Sequence, residues 1–397
     1  MKAVMMVAGK STRTHPLTVT RPKPLLKVLN KTIIEHNLDQ LSGIVNEVVI
    51  IVGYRKDMII EHLGSSYKGM RLTYIEQKEQ LGTGHALQIA EKHAGKRFIV
   101  MYGDDIYSGK DIMLISKVDN SVLAKKVENP ENFGVFVTEG DRLVRVIEKP
   151  KEFVSDLANV GCFMLTDDIF PYLKKVKKSV RGEYEITDAL SMLAEEQKVT
   201  VVPAKDYWFP IGYPWNLLEA NAYLLKSIKQ DIKGEVEDNV TIKGNVIIGK
   251  GTVVRSGTYI EGPVIIGEDC QIGPSAYIRP DTAIGDRCKF RGEAFDMIMM
   301  DDSVAKHNCY IGHSVLGVDV NIGAGTITSD YRHDGKSNMT IVNGKKIDSG
   351  RRKLGSFMGD HVRTGINTSI YPGRKLWPNT GTLPGSVVKK DITEVGF

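Results

Sequence analysis

The 397-residue sequence has few cysteines, and it lacks the spacing that would pair them. Its four cysteines are scattered with no Cys-x-x-Cys pair, which argues against disulfides and against a cysteine zinc site. Long hydrophobic runs are also missing. The apolar N-terminal run is too short for a secretory signal, and no later run approaches the length of a membrane span. We therefore expect a cytoplasmic protein with no membrane partner.

The sequence also lacks a tract of one charge. Its net charge of +5 is spread along the chain, with no basic patch interleaved with aromatic residues. That distribution gives no support to nucleic-acid binding, whereas it suits small anionic substrates. Charged residues make up 25% and hydrophobic ones 42%, as in an ordinary globular protein. The length predicts two domains.

In residues 1–227, short runs of apolar residues alternate with segments whose apolar residues are spaced as in a helix. The apolar runs predict buried strands over residues 4–7, 48–52, 72–75 and 98–102. The apolar spacing between them predicts helices over residues 32–41 and 84–93. This alternation predicts an α/β, Rossmann-like domain with a parallel, doubly wound sheet. Because such sheets bind ligands at the C-terminal ends of their strands, we expect the site in the loops after Val7, Ile75 and Tyr102.

From residue 242 the apolar residues recur every six positions. Nine follow in succession: Ile242, Ile248, Val254, Ile260, Ile266, Ile272, Ile278, Ile284 and Phe290. The register then slips by two and resumes at Ile298, Val304, Tyr310, Leu316 and Ile322. This period predicts a left-handed parallel β-helix of hexapeptide repeats over residues 242–397, after a linker at 228–241. We expect residues 330–352 to form a protruding loop and the tail to form irregular coils.

The loop after the first strand has the composition of a phosphate site. Gly9 permits close approach of the backbone to phosphate oxygens. Arg13 offers a planar guanidinium for bidentate phosphate binding. Lys23 lies between two prolines and would place a point charge near the phosphate under attack. We expect both cations on a solvent-facing loop.

This segment resembles the signature of the sugar nucleotidylyltransferase family. The matching positions are Ala8, Gly9, Thr12, Arg13, Pro16, Leu17, Thr18, Pro22, Lys23, Pro24 and Leu25, whereas Ser11 replaces the usual Gly and Thr14 the usual apolar residue. The resemblance implies that a sugar-1-phosphate attacks a nucleoside triphosphate, UTP or dTTP, and that pyrophosphate leaves. It assigns catalysis to Arg13 and Lys23, and nucleotide binding to Ala8 and Gly9.

Further motifs of that family follow in order. The resemblance implies nucleotide binding by Gln77, Gly82 and Thr83, and Mg²⁺ binding by Asp104. It implies sugar binding by Tyr102, Gly134, Glu148, Lys149 and Asn159. One position departs from the pattern: Pro210 stands where the family usually has an Asp as a second metal ligand. Proline has no ligating side chain, so Asp104, the triphosphate and water would have to hold the ion.

The second half is similar to bifunctional N-acetylglucosamine-1-phosphate uridylyltransferase/glucosamine-1-phosphate acetyltransferases, especially archaeal-type forms. The resemblance runs through residues 303–312, 321–326, 350–355 and 365–367. It implies that His307 is the general base of acetyl transfer from acetyl-CoA, that Tyr310 and Asp330 line the sugar site and that Ala324 lies in the acetyl-CoA turn. It also implies a homotrimer or a dimer of trimers. Asp330 and Phe295 replace the family's Asn and Lys, and Lys306 and Asn308 flank the histidine where small or apolar residues are common.

Three functions therefore remain open. The first is a bifunctional enzyme that makes UDP-N-acetylglucosamine. The second is a single-activity UTP- or dTTP:hexose-1-phosphate nucleotidylyltransferase whose β-helix is structural. The third is a non-catalytic regulatory subunit that binds nucleotide-sugar, which Pro210 favours and the retained Arg13, Lys23 and Asp104 disfavour.

Overall fold

The computed structural model describes residues 1–394 and forms two compact units. The first comprises Met1–Lys10 and Ile33–Pro210, and the second comprises Ser11–Thr32 and the chain from Ile211 onward. The signature segment is thus divided, with Gly9 in the first unit and Arg13 and Lys23 in the second. The sequence pattern had grouped residues 11–32 and 211–227 with the α/β domain.

A ten-stranded mixed sheet organises the first unit. Its strands, in spatial order, are Gly134–Glu139, Arg142–Glu148, Thr200–Pro203, Ser121–Lys126, Leu157–Thr166, Arg97–Tyr102, Lys2–Met6, Glu47–Val52, Met70–Glu76 and Ser66–Tyr67. A two-stranded ribbon pairs Ile106–Tyr107 with Trp208–Phe209. The four predicted strands are present and mutually parallel. The central residues of Lys2–Met6, Glu47–Val52 and Arg97–Tyr102 are buried because the sheet is covered on both faces there, whereas Thr73 and Tyr74, nearer the sheet edge, are half-buried.

The expectation of a wholly parallel sheet is wrong for the other half. Leu157–Thr166 runs antiparallel to Arg97–Tyr102, and Gly134–Glu139 runs antiparallel to Arg142–Glu148. The last pair is joined through Gly140 and Asp141, with Gly140 at φ +62°. A connection this short can only return the chain antiparallel.

Seven α-helices accompany the sheet in the described chain of the first unit. They are Ile33–Leu41, Lys56–Leu63, Thr83–Gln88, Glu91–Ala94, Gly109–Ile115, Ile169–Leu173 and Ile186–Glu196. The predicted helix over 84–93 is instead two short helices, because bonds from Ala90 N to Leu87 O and from His93 N to Ala90 O tighten the chain between them. None of the helices found within residues 1–394 has both the length and the apolar character of a membrane span.

Stacked parallel strands form a three-sided β-helix in the second unit. One face contains Asp231–Ile232, Val246–Ile248, Val264–Ile266, Thr282–Ile284, Ile298–Met299, Val315–Leu316, Phe357–Met358 and Lys375–Leu376. The other two faces contain Glu235–Val236, Thr241–Lys243, Val253–Val254, Tyr259–Glu261, Gln271–Ile272, Tyr277–Ile278, Lys289–Phe295, Val304–Gly312, Asn321–Ile322, Ile327–Thr328, Ser369–Ile370 and Val387–Val388. Lys289–Phe295 and Val304–Gly312 each turn a corner of the β-helix, so that each pairs with strands of both of these faces.

The nine predicted repeat residues pack in or against one apolar core, as expected. The resumed register is wrong at three positions, because the core residues are Met299, Ala305 and Ile311 rather than Ile298, Val304 and Tyr310. Register partners explain the shift: Ile284 pairs with Met299, and the shortened corner of Lys289–Phe295 puts Ala294 opposite Ile311. Tyr310 is therefore turned away from the core and is available to a site.

Two parts of the second unit differ from the sequence pattern. Strands Asp231–Ile232 and Glu235–Val236 pair with the next coil, so the β-helix begins within the residues expected to be a linker. The insertion at 330–352 forms an antiparallel hairpin, Met339–Val342 with Lys345–Asp348, whose Thr340 is buried and donates to Gly373 O at 2.8 Å. It packs rather than simply protruding. Helix Pro214–Leu225 and the small ribbon Lys27–Val28 with Lys31–Thr32 complete the unit.

Candidate active sites

The loop after the first strand leaves open space at Gly9. Val7 N donates to Ile51 O at 2.9 Å, which ends the strand pairing just before the loop. Gln80 Nε2 donates to Ala8 O at 2.9 Å and fixes the next peptide. No atom lies within 4 Å of where a Cβ on Gly9 would be. Ala8 is thus held in place, and the Gly9 backbone is open to a ligand.

The two residues expected to recognise the base contact each other. Gln77 is buried, and its Nε2 lies 3.0 Å from Gly82 O, to which it donates, and 3.0 Å from His85 Nδ1. Gly82 has φ +100°, and a Cβ there would lie 2.6 Å from Tyr184 O, so the position requires glycine. Thr83 Oγ1 accepts a bond from Ile186 N at 3.2 Å. The amide of Gln77 is therefore positioned by its neighbours.

Asp104 lies in the turn that follows Arg97–Tyr102. Gly103 makes the turn possible, since a Cβ there would lie 2.4 Å from Val7 Cγ1. The adjacent Asp105 accepts a bond from Trp208 Nε1 at 3.3 Å. Because Phe209 pairs with Ile106, Pro210 follows directly opposite this acidic turn. Among residues 1–394, no three His, Cys, Asp or Glu side chains gather as a metal cluster.

Three expected sugar contacts converge on neighbouring strands. Gly134 pairs directly with Glu148, and Glu148 Oε2 and Asn159 Cβ lie 2.9 and 3.8 Å from where a Cβ on Gly134 would be. Asn159 Oδ1 accepts a bond from Gly161 N at 2.9 Å. Partial burial raises the pKa of Glu148, and Arg181 and Lys149 oppose that rise. A carboxylate, an amide and a glycine therefore form one polar wall.

The same wall includes groups that its sequence motifs do not indicate. Arg181 Nη2 lies 3.2 Å from Glu148 Oε1 and 2.8 Å from Glu185 Oε1. Burial raises the pKa of Tyr102, with a further rise from Glu148. The Tyr102 ring fills the space beside Gly161, where a Cβ would lie 2.1 Å from a ring carbon. Lys149 is exposed. Arg181 was missed because it lies on an irregular segment outside the family motifs.

Arg13 and Lys23 occupy the part of the signature that belongs to the second unit. The hydroxyls of Thr14 and Thr18 both donate to Ser11 O, at 2.7 and 2.9 Å, and close the loop on itself. Arg13 is exposed, with its guanidinium carbon 5.7 Å from the centre of the Tyr213 ring. Lys23 is buried, and its Nζ donates to Ile211 O at 2.7 Å. The expected solvent-facing position is therefore wrong for Lys23, because the turn Lys23–Leu25 packs inward.

His307 lies on the long strand Val304–Gly312 and is exposed. Its backbone oxygen accepts a bond from Gly325 N at 3.0 Å, which places the Ala324–Gly325 turn beside it. Ala324 is itself tied to the next coil, because its oxygen accepts from Asn367 N at 2.7 Å. The structure thus brings the expected base and the expected acetyl-CoA turn together.

Tyr310 and Asp330 form a second part of the β-helix site. Tyr310 Oη donates to Asp330 Oδ2 at 2.8 Å, and burial together with this carboxylate raises the pKa of Tyr310. His313 Nε2 lies 3.4 Å from the same carboxylate oxygen. His313 Nδ1 lies 2.7 Å from Asp296 Oδ2, to which Arg351 Nη2 also donates at 2.6 Å. His313 follows Tyr310 by three residues in the sequence, but no sequence motif indicated that it belongs to this network.

Phe295 stands where a substrate-binding Lys was expected, and cations from other coils surround it. The Arg279 guanidinium carbon lies 4.1 Å from the centre of the Phe295 ring, and Lys353 Nζ lies 5.8 Å from it. His313 packs edge-on against the same ring, with centroids 4.9 Å apart. Positive charge is thus retained at this position from neighbouring strands.

Comparison with known families matches both halves of the chain. The family described as nucleotidyl transferase matches residues 2–227, and the family described as bacterial transferase hexapeptide (six repeats) matches residues 263–294. A solved structure from Bacillus anthracis, assigned as a glucose-1-phosphate thymidylyltransferase, is 30% identical with a TM-score of 0.53. It covers 58% of this chain and 97% of its own.

Two relatives match over the whole length of the chain. A bifunctional sugar-1-phosphate nucleotidylyltransferase/acetyltransferase of Sulfurisphaera tokodaii is 40% identical, covering 99% of this chain and 98% of the relative. The bifunctional protein GlmU of Methanococcus maripaludis is also 40% identical, covering 100% of this chain and 97% of its own.

Proposed function

Because the chain belongs to the nucleotidyl transferase family and is a nucleotidyltransferase with a hexapeptide acetyltransferase domain, we propose that it makes UDP-N-acetylglucosamine. Glucosamine-1-phosphate would first be acetylated from acetyl-CoA, and the product would then be joined to UTP. The observation that carries this choice of sugar is the polar wall of Gly134, Glu148 and Asn159. A carboxylate suits sugar hydroxyls, and an amide suits an N-acetyl group.

Nucleotidyl transfer needs positioning and charge more than covalent chemistry. The sugar phosphate oxygen attacks the α-phosphorus in line as the bond to pyrophosphate breaks. The open Gly9 backbone and the Arg13 guanidinium would bind the triphosphate, and Lys149 would bind the sugar phosphate. The Gln77 amide would read the base edge. The same contacts would accept dTTP, so base choice is part of the experiment.

The acidic turn of Asp104 and Asp105 could hold a Mg²⁺ ion that keeps most of its water ligands. Asp104 would be a ligand, with Asp105 beside it partly engaged by Trp208. Few protein carboxylates suffice for Mg²⁺ when substrate phosphates complete its octahedral shell. When bound, the ion supplies positive charge to the triphosphate. Pro210 contributes no ligand, so fewer of the ligands around Mg²⁺ would come from the protein.

Acetyl transfer would use His307 as the base that takes a proton from the sugar amine as the amine attacks the thioester carbon. A histidine suits this reaction because its unperturbed pKa of about 6.5 leaves it largely neutral near pH 7. An exposed base lacks an enclosing pocket, and a second copy of the chain would supply one. Exposed apolar residues on one face of the coils, Ile327 and Val387 with Ile366 and Leu383 nearby in sequence, support a homotrimer.

A panel of assays tests this proposal. Pyrophosphate release is measured for UTP and dTTP with N-acetylglucosamine-1-phosphate and glucose-1-phosphate, and thiol release from acetyl-CoA with glucosamine-1-phosphate. We expect UTP with N-acetylglucosamine-1-phosphate to be fastest, and thiol release to fall by about 10²–10⁴-fold in His307→Gln. His361→Gln is the control, since His361 is an exposed histidine of the same β-helix.

The alternatives give different results in the same panel. Pyrophosphate release without thiol release would indicate a single-activity enzyme with a structural β-helix. Binding of nucleotide-sugar without either release would indicate a regulatory subunit. Either result would refute the bifunctional proposal.

A further inference from the structure

A cavity of about 560 Å³ lies within the second unit, between the signature segment and the end of the β-helix. Thr12 and His15 line it from the signature segment. Arg374, Lys375, Trp377 and Lys390 line it from the last coils. Its lining does not include Arg13, Lys23 or His307, which are the catalytic residues proposed above for the second unit.

The lining carries an excess of positive charge. Against the three basic side chains Arg374, Lys375 and Lys390 stands one acidic lining residue, Asp391. Lys375 is buried, and its ammonium donates to a neutral acceptor, Ile341 O, at 2.7 Å. Asp391 uses one carboxylate oxygen to accept from the Lys375 backbone N at 3.0 Å. The buried ammonium is therefore only partly compensated, which is costly unless a further anion is present.

The basic groups also act on one another. Burial lowers the pKa of Lys375 to about 8; Asp391 opposes this lowering, and Arg374 adds a smaller lowering. Burial and Lys375 together lower the pKa of His15. Each cation thus disfavours the charge of its neighbour. An anion among them would relieve this repulsion.

The dimensions and lining narrow the class of anion. The volume falls within the range of about 300–1,000 Å³ that is usual for small-molecule sites. A single phosphate would leave most of it empty. Arg374 and Lys390 would bind phosphate oxygens, and Trp377 offers an aromatic surface beside them. We propose that this cavity binds the polyphosphate chain of a small molecule at a site distinct from the catalytic contacts of Arg13.

Ligand binding in the cavity would affect nucleotidyl transfer through the signature segment. This step rests on the proposed function. Thr12 and His15 lie on either side of Arg13 in the chain. Asn343 Nδ2 donates to Thr12 Oγ1 at 3.1 Å and ties the segment to the hairpin of the insertion. An anion held by His15 and Lys390 would shift this short loop, and with it the Arg13 guanidinium. The ligand is therefore a regulator of nucleotidyl transfer.

Binding is tested on the full chain by calorimetric titration with sodium tripolyphosphate, with UTP and with coenzyme A. Lys390 is exposed, so Lys390→Glu reverses a charge at the cavity without disturbing packing. Lys389→Glu is the matched control, because Lys389 is its exposed neighbour outside the cavity lining and gives the same change in net charge. We expect tripolyphosphate to bind at least about tenfold more weakly to Lys390→Glu, as loss of one charge-assisted contact implies. Lys389→Glu should bind within about twofold of the parent.

The titration does not depend on turnover, so it separates this proposal from the function proposed above. Equal affinities in the two variants would overturn the cavity site even if the enzyme is active. A preference for UTP over tripolyphosphate would identify a nucleotide as the source of the polyphosphate, and a preference for coenzyme A would identify that cosubstrate. Whichever ligand binds more tightly than tripolyphosphate, its tighter binding must be lost in Lys390→Glu if the cavity is the site.

Regulation is measured as UDP-sugar formed at saturating UTP with and without tripolyphosphate. Saturating UTP overcomes competition at the catalytic triphosphate contacts, and an effect through the cavity persists where the titration shows that UTP does not fill the cavity. If UTP does fill it, the dependence of the rate on UTP is compared between the parent and Lys390→Glu instead. We expect a persistent change in rate for the parent and for Lys389→Glu, and none for Lys390→Glu. A rate that is unchanged in all three proteins would overturn the regulatory step.

Discussion

Nδ1 of His313 lies 2.7 Å from Oδ2 of Asp296, and both side chains are buried in the β-helix. Nε2 of the same ring lies 3.4 Å from Asp330, which accepts the hydroxyl of Tyr310. His313 therefore lies between the buried carboxylate of Asp296 and the half-buried carboxylate of Asp330 beside the expected sugar site. It is a positioning residue for Tyr310 and Asp330, because it acts on them rather than on the transferred acetyl group.

We expect His313→Gln to raise the KM for glucosamine-1-phosphate about tenfold, as loss of about 1.4 kcal/mol of substrate positioning implies. It should also cost roughly 1–3 kcal/mol of folding stability, because the buried carboxylate of Asp296 loses a hydrogen-bond partner. His361→Gln is the control, since His361 makes a similar 2.8 Å contact with Asp319 but is exposed. Its effect should stay within about 1 kcal/mol. Equal KM values for the two variants would contradict the positioning function.

Lys353 and Arg279 are expected to replace the cation that Phe295 lacks. Lys353→Met should raise the KM for glucosamine-1-phosphate about tenfold and leave the kcat of acetyl transfer nearly unchanged, because the phosphate takes no part in bond making or breaking and is bound equally in the ground and transition states. Steady-state thiol release gives both constants. Lys346→Met, an exposed lysine of the insertion, is the control. A fall in kcat with constant KM would show that Lys353 acts on the chemistry instead.

The repeats show what the sequence could and could not predict. A six-residue period identifies the core from Ile242 to Phe290, because each side of a regular coil has the same length. It fails at Tyr310, because the corner between Phe290 and Ala294 is shorter than the repeat.

Contacts between coils are a second limit. Glu148 and Asn159 could be grouped because family motifs name them. His313 and Arg351, in contrast, both contact Asp296 only because successive coils stack and the insertion folds back onto them. No local pattern marks those distances. Likewise, the burial of Lys23 depends on the carbonyl of Ile211, far along the chain.

Pro210 follows a strand that pairs beside the acidic turn, and Pro210→Asp would add a carboxylate there. We expect the Mg²⁺ concentration for half-maximal nucleotidyl transfer to fall several-fold, since an additional hard oxygen ligand favours the ion. Asp104→Asn should abolish the Mg²⁺-dependent rate. The measurement is a Mg²⁺ titration of pyrophosphate release at fixed UTP. Pro203→Asp, at an exposed proline of the same unit, is the control. Superimposable titrations of the parent and Pro210→Asp would refute a ligand position at residue 210.

The buried ammonium of Lys375 predicts how stability depends on pH. Its pKa of about 8 lies below the ordinary lysine pKa of 10.5, so below pH 8 the folded protein bears the full cost of the buried charge. Between pH 8 and 10.5 the folded state releases this proton before the unfolded state does, and stability rises with pH. His15, the neighbouring cavity residue, does not titrate in this window, because burial and Lys375 lower its pKa from 6.5.

Lys375→Met should therefore stabilise the protein at pH 7 by roughly 1–3 kcal/mol, since it keeps the packing and removes the charge. The advantage should shrink towards zero by pH 10. Urea unfolding at the two pH values measures it, with the exposed Lys389→Met as the control that changes little at either pH. A lysine that costs stability is retained where it serves binding, so Lys375→Met should also weaken tripolyphosphate binding. A variant that is less stable than the parent at both pH values would show instead that Lys375 stabilises the last coils through its bond to Ile341.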